Sequence, residues 1–225
     1  LVTEGDLDRL IAVLSSAAQR ASDPDHGARH WIAVADLYAD HKGDLPAALT
    51  ALLRVEKQLP QNVPVLLELA ELFCRDAQWG QAATRLERVL ATHPEDDVVV
   101  AASLRLAELQ HERLERLDAA RRALDTVLTK RADHPEALRR LLAIQLATKD
   151  TAAPETARRL AEVSPDPAVR AEAWTTLGRL LRQRKDLESA CSAYAEAIAI
   201  VGLSEAAATE LKELLVQRRV AGNQP

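Results

Sequence analysis

Two histidines, His26 and His30, stand four residues apart beside Asp25, the spacing at which two imidazoles on one helix face can share a divalent metal ion. The pattern stops short of a site, because His26 directly precedes Gly27 at a helix start and no carboxylate completes the spacing. Cys74 and Cys191 are too far apart for a CxxC pair and too few for a disulfide framework, so they read as buried or half-buried thiols on helices. His93-Pro94 and His134-Pro135 recur at helix breaks as loop punctuation, while His41 and His111 lie near turns and are expected to face water. No glycine-rich phosphate loop, nucleophile elbow or HExxH run occurs, and no motif places a His against either Cys. The chemistry-bearing residues therefore imply no catalysis, no metal, no cofactor and no small-molecule substrate.

What remains is charge. Arg121-Arg122, Arg139-Arg140, Arg158-Arg159 and Arg218-Arg219 could form a stripe for an acidic partner or RNA, but acidic residues beside most of them favour a solvated, salt-bridged surface. The net charge of −5 argues against nucleic acid, since neutralising phosphates calls for a basic excess. No apolar run approaches the length of a membrane span and no basic-then-apolar leader opens the chain, so membrane insertion is not expected and a cytoplasmic location is. A start at Leu1 and the absence of Met give the expectation of a segment of a larger protein, and the Ala- and Arg-rich, Lys-poor composition suggests a bacterial one.

The elements that would position these residues are helices. Aromatics make up only 3% of the 225 residues and Gly only 7 of them, the composition of an all-α chain whose helices approach closely through small side chains. Val98 to Val100, a β-branched run, follows Pro94-Glu95-Asp96-Asp97 and is predicted to be the first turn of a helix. Trp174, Leu177, Gly178 and Leu181 sit at i, i+3, i+4 and i+7, followed one helix later by Ala190, Tyr194 and Ala197. Leu66, Leu69, Ala70, Phe73, Ala82, Leu86, Val89 and Pro94 repeat those offsets, and Trp31 and Tyr38 open another copy that needs one extra residue near Gly43-Asp44.

This pattern resembles the tetratricopeptide repeat family, from about Gly5 to Arg219 and most specifically in the second and fifth pairs. The resemblance implies a right-handed α-solenoid of antiparallel helix pairs, read here as one array. A partial repeat spans 5–24, and pairs span about 28–62, 63–96, 97–135, 136–165 and 171–203, before a capping helix at 204–220 and a disordered tail at 221–225. The third pair is expected to have a lengthened closing loop, and the fourth an irregular turn at Lys149-Asp150-Thr151.

The resemblance also implies a concave surface, lined by the first helix of each pair, that receives a partner's peptide or helix. The family's concave positions fall on Ile32, Asp36, Asp40, Leu67, Glu71, Cys74, Arg75, Arg179 and Arg182. The Lys and Asn with which one subclass clamps a C-terminal carboxylate are missing there. The groove is thus expected to be acidic and apolar in the first two pairs and basic in the fifth, on a monomeric protein-interaction scaffold. A substrate-recruiting module fused to a catalytic domain is the alternative, and an RNA-binding helical repeat comes third.

Overall fold

The computed structural model describes residues 4–201, 209–213 and 216. Among residues 4–201, eleven α-helices follow one another: α1 (Glu4–Arg20), α2 (Pro24–Asp36), α3 (Leu45–Gln58), α4 (Val63–Arg75), α5 (Trp79–Ala91), α6 (Asp96–Glu108), α7 (Leu117–Lys130), α8 (Pro135–Thr148), α9 (Ala153–Val163), α10 (Pro167–Gln183) and α11 (Leu187–Val201). No strand occurs among the described residues, and Val98–Val100 lies in the first turn of α6 as predicted. None of these helices is long and apolar enough to cross a membrane. The chain forms two compact units, Leu1–Ala123 and Leu124–Pro225, with their boundary inside α7. Of the capping helix expected at 204–220, 209–213 and Val216 are helical, and the rest lies outside the described residues, as does the tail at 221–225.

Four helix starts follow one recipe. Asp23, Asp44, Asn62 and Asp166 each accept a hydrogen bond from a backbone N–H of the first turn, with Pro in one of the first two helical positions. His134 uses its ring the same way, Nδ1 accepting from the Ala137 N–H at 3.4 Å, so His134-Pro135 is a helix cap as well as a break.

The turns inside the pairs are equally uniform. The amides of Asp44, Gln78, Arg116, Asp150 and Asp186 donate back to the carbonyls of Tyr38, Phe73, Gln110, Gln145 and Leu181, at 2.7 to 3.0 Å. The residue before each donor is left-handed: Gly43, Ala77, Glu115, Lys149 and Lys185 have φ between 53° and 66°. The Lys149-Asp150-Thr151 turn has the same closing bond and left-handed residue, but α9 begins three residues after its donor where the other second helices begin one residue after theirs, so the turn is irregular as expected. In the first and third pairs the bond spans one residue more, and a π-helical turn (Leu37–His41, Leu109–Arg113) absorbs it. The lengthened closing loop expected in the third pair is absent: 131–134 matches 59–62 and 92–95 in length, and the extra residue sits in the π-turn.

This register identifies the residues at the closest helix approach. Gly178 on α10 lies directly on the Tyr194 ring of α11, where an added Cβ would stand 2.7 Å from the nearest ring carbon. Ala35 with Leu52 and Ala70 with Leu86 repeat this arrangement of small on the first helix and large on the second, all buried. In the fourth pair the small place on α8, three residues before the carbonyl that accepts the turn amide, holds Leu142, buried in one core cluster with Ala157, Leu160 and Ala161 of α9. A large residue where the other pairs have Gly or Ala is why this pair reads as degenerate. On the second helices of the first unit, buried Glu56 of α3 joins Arg85 and Arg88 of α5, an ion-paired tie between successive pairs.

Gly178→Ala is expected to cost about 1–3 kcal/mol by overpacking against Tyr194. Leu142→Ala should cost about 2–5 kcal/mol in urea melts, because the side chain is buried in the cluster with Leu160 and Ala161. A loss well under about 1 kcal/mol would show that this large side chain does not fill the core.

Candidate functional site

In the first unit α2, α4 and α6 lie side by side, and charged side chains bridge them one repeat apart. Arg75 Nη1 of α4 meets Asp40 Oδ1 at 2.6 Å, and its Nη2 donates to the Ala39 carbonyl at 2.9 Å. One repeat on, Arg105 of α6 reaches back to Glu71 at 3.3 Å and holds Glu108 at 2.9 Å. Ile32 and Leu67 are half-buried, Asp36, Asp40, Glu71 and Arg75 are exposed, and Cys74 is buried. Leu67, Ala70, Glu71, Cys74 and Arg105 line a cavity of about 150 Å³ between α4 and α6. Asp36, Asp40, Glu71 and Arg75 thus lie within electrostatic reach of one another, and Leu67, Glu71 and Cys74 share the cavity wall.

Two residues of this face carry no signal in the consensus. Glu68 is half-buried, and its carboxyl is pushed above the usual range by burial and then by Asp36, Glu71 and Asp40, with only Arg75 opposing. Asp36 is raised by burial and by Asp40. Arg105 stands 34 residues after Glu71, one repeat period, and that spacing could have found it. Burial also raises the Cys74 thiol, against the lowering effect of Arg105. Asp36, Asp40, Glu68 and Glu71 therefore crowd together with fewer cations than anions, and burial and crowding oppose the ionisation of Asp36 and Glu68.

The other two expected positions lie in the second unit. Arg179 Nε stands 3.5 Å from Glu210 Oε1, and Arg182 meets Glu210 at 3.0 Å and Glu213 at 3.4 Å. Tyr194 donates its hydroxyl to Glu210 Oε2 at 3.1 Å, and burial followed by the Glu210 charge pushes its pKa up to about 12. Both arginines are engaged by the chain's own 209–213 segment. In the first unit, His26 and His30 meet edge to face with ring centroids 4.8 Å apart, while Asp25 accepts a hydrogen bond from Asn62 Nδ2. His41 is exposed and His111 half-buried, rather than both facing water; Cys74 is buried and Cys191 half-buried. Arg139 and Arg140 both bond Glu136, which keeps its carboxyl below the usual range despite burial.

The sequence profile described as tetratricopeptide repeat matches residues 65–96. These are α4, α5 and the turn with left-handed Ala77, the pair in which every offset is met. The chain folds as a tetratricopeptide-repeat array. The C-terminal part of a tetratricopeptide-repeat protein from Cytophaga hutchinsonii superposes with a TM-score of 0.67 at 14% identity, over 92% of this chain and 82% of that one. YrrB, described as a tetratricopeptide-repeat protein with an unusual peptide-binding site, gives 0.60 at 18% identity, over 88% and 96%. MamA gives 0.59 at 18% identity, over 76% and 90%. No curated protein matches the sequence.

Within this array the raised carboxyls of Asp36 and Glu68 imply a stability cost once they ionise. A carboxyl raised in the folded state stabilises below its unfolded pKa and loses that contribution as pH rises through the folded pKa. Glu68→Gln should therefore raise Tm at neutral pH, with the gain shrinking to nothing at strongly acidic pH. A Tm gain that persists unchanged in acid would show that repulsion and burial of the charge are not its source.

Proposed function

We propose that the chain is a non-catalytic protein-interaction scaffold whose first unit grips a partner segment combining basic and apolar side chains. The crowding of Asp36, Asp40, Glu68 and Glu71 on one face carries this reading. Ionised carboxylates whose pKa values are raised by burial and by each other gain most from a cation brought among them. Ile32 and Leu67, half-buried beside them, and the cavity between α4 and α6 supply apolar contact. Cys74 and Arg75 belong to the same face, Cys74 in the cavity wall and Arg75 holding Asp40 in place. Arg179 and Arg182 are assigned to holding 209–213 rather than to the partner.

A peptide or helix from another protein fits the fold class, and the peptide-binding site named for YrrB, which shares the fold, supports it. The substrate-recruiting alternative uses the same face and differs in what it is joined to. RNA is disfavoured because phosphates would meet these carboxylates. The protein is taken to act as a monomer in the cytoplasm.

A terminally blocked, fluorescently labelled peptide alternating Lys and Leu tests the assignment by anisotropy. It should bind, weaken as salt rises, and lose about tenfold or more affinity against Asp36→Lys with Glu71→Lys, a variant checked for unchanged helicity. Equal affinity for both proteins would move the site off this face.

A further inference from the structure

The second unit carries a different cleft, on the side where the turns inside the helix pairs lie. It has a volume of about 410 Å³ and lies among the ends of α8 and α10, the turn before α9, and the start of α9. Its lining combines Gln145, Leu146, Lys149, Asp150, Leu180 and Arg184. Gln145 is only 3% exposed, yet its Oε1 has no hydrogen-bond partner. The corresponding places in the first, second and fifth pairs, marked by the carbonyl that accepts the turn amide, hold Tyr38, Phe73 and Leu181, while the third holds Gln110, whose buried Oε1 is likewise unmatched and whose Nε2 donates to Glu87. Gln145 is the one that lies in the wall of this cleft. A buried acceptor left unmatched is costly, and it can be matched by a donor that enters the cleft.

We propose that this cleft binds an extended peptide segment of a partner protein, presenting an apolar side chain next to a carboxylate, with a peptide N–H donated to Gln145 Oε1. Leu146, a large apolar residue left 41% exposed, and Leu180 form the apolar contact. Lys149 is exposed at the left-handed position of the turn, and the Arg184 guanidinium is fixed beside it by donating to the Thr151 carbonyl. The one carboxylate in the lining, Asp150, is turned to the backbone, its Oδ1 accepting from the Ala152 N–H at 2.8 Å. The charge offered to a ligand is therefore positive, opposite to the acidic face of the first unit. Leu146 also lines a second cleft of about 190 Å³, with Leu142, Val169 and Ala173, so the apolar surface continues past one side chain, as an extended chain requires.

The probe is a terminally blocked peptide alternating Leu and Glu, titrated into the full chain while the backbone and side-chain amides of Gln145, Leu146 and Lys149 are followed by NMR. Saturable shifts centred on these residues are expected. Lys149→Glu should weaken binding roughly tenfold, with Tm as the fold control. Gln145→Leu should raise Tm, because it removes an unmatched buried acceptor, and yet bind the peptide roughly three- to tenfold more weakly. Absence of shifts, affinity unchanged in Gln145→Leu, or the same shifts produced by N-acetylglutamate alone would overturn the assignment.

Discussion

The contact on which the clearest pair depends is that between Gly178 and the Tyr194 ring. Two helices can approach so closely only where one side chain is missing and a large one fills the space opposite. Once that register is set, everything else on the helix is set with it. The residues one turn away enter the core, the left-handed residue ends the first helix, and the remaining positions face outward. In the first unit, Ala35 and Ala70 occupy the same place, and the outward positions they dictate bring Asp36, Glu68 and Glu71 to one face. The candidate site is a by-product of the closest-approach rule repeated along the chain.

The same rule explains what was legible in the sequence. The second and fifth pairs follow the small-on-first, large-on-second arrangement, so offsets alone recover their helices, turns and buried residues. The first pair needed an extra residue and the third a longer loop on paper; both are single π-turns, which periodicity cannot show because the helix continues through them. The fourth pair hid its order because Leu142 stands where the other pairs have Gly or Ala, so a search for a small residue at that offset misses it. The left-handed turn residues were obscured for a related reason. Only Gly43 announces itself, while Ala77, Glu115, Lys149 and Lys185 adopt the same backbone with ordinary side chains.

The candidate face was legible in outline and not in its electrostatics. The groove positions placed Asp36, Asp40 and Glu71 together, but Glu68 sits beside Leu67 at an offset outside the expected groove positions, and only the fold shows its carboxyl crowded by three others. Arg179 and Arg182 looked like a basic patch until Glu210 and Glu213 stood against them. Ion pairs between successive repeats arise from residues about one period apart, as Asp40 with Arg75 and Glu71 with Arg105 do, and they consume part of the charge that composition suggests is free for partners. What they leave on the first unit is an excess of carboxylates held at a cost to the fold, a trade proteins make where function needs it.

The central claim is that a cationic partner relieves this crowding, and proton linkage tests it most directly. Binding of the Lys–Leu peptide would be measured by calorimetry at mildly acidic pH, in two buffers of different ionisation enthalpy, with Asp36→Asn plus Glu68→Gln as the comparison. The account requires net proton release on binding, because the partner's charge lowers the raised pKa values of Asp36 and Glu68, and loss of that release in the variant. Binding without linked protons, or equal release from both proteins, would contradict it.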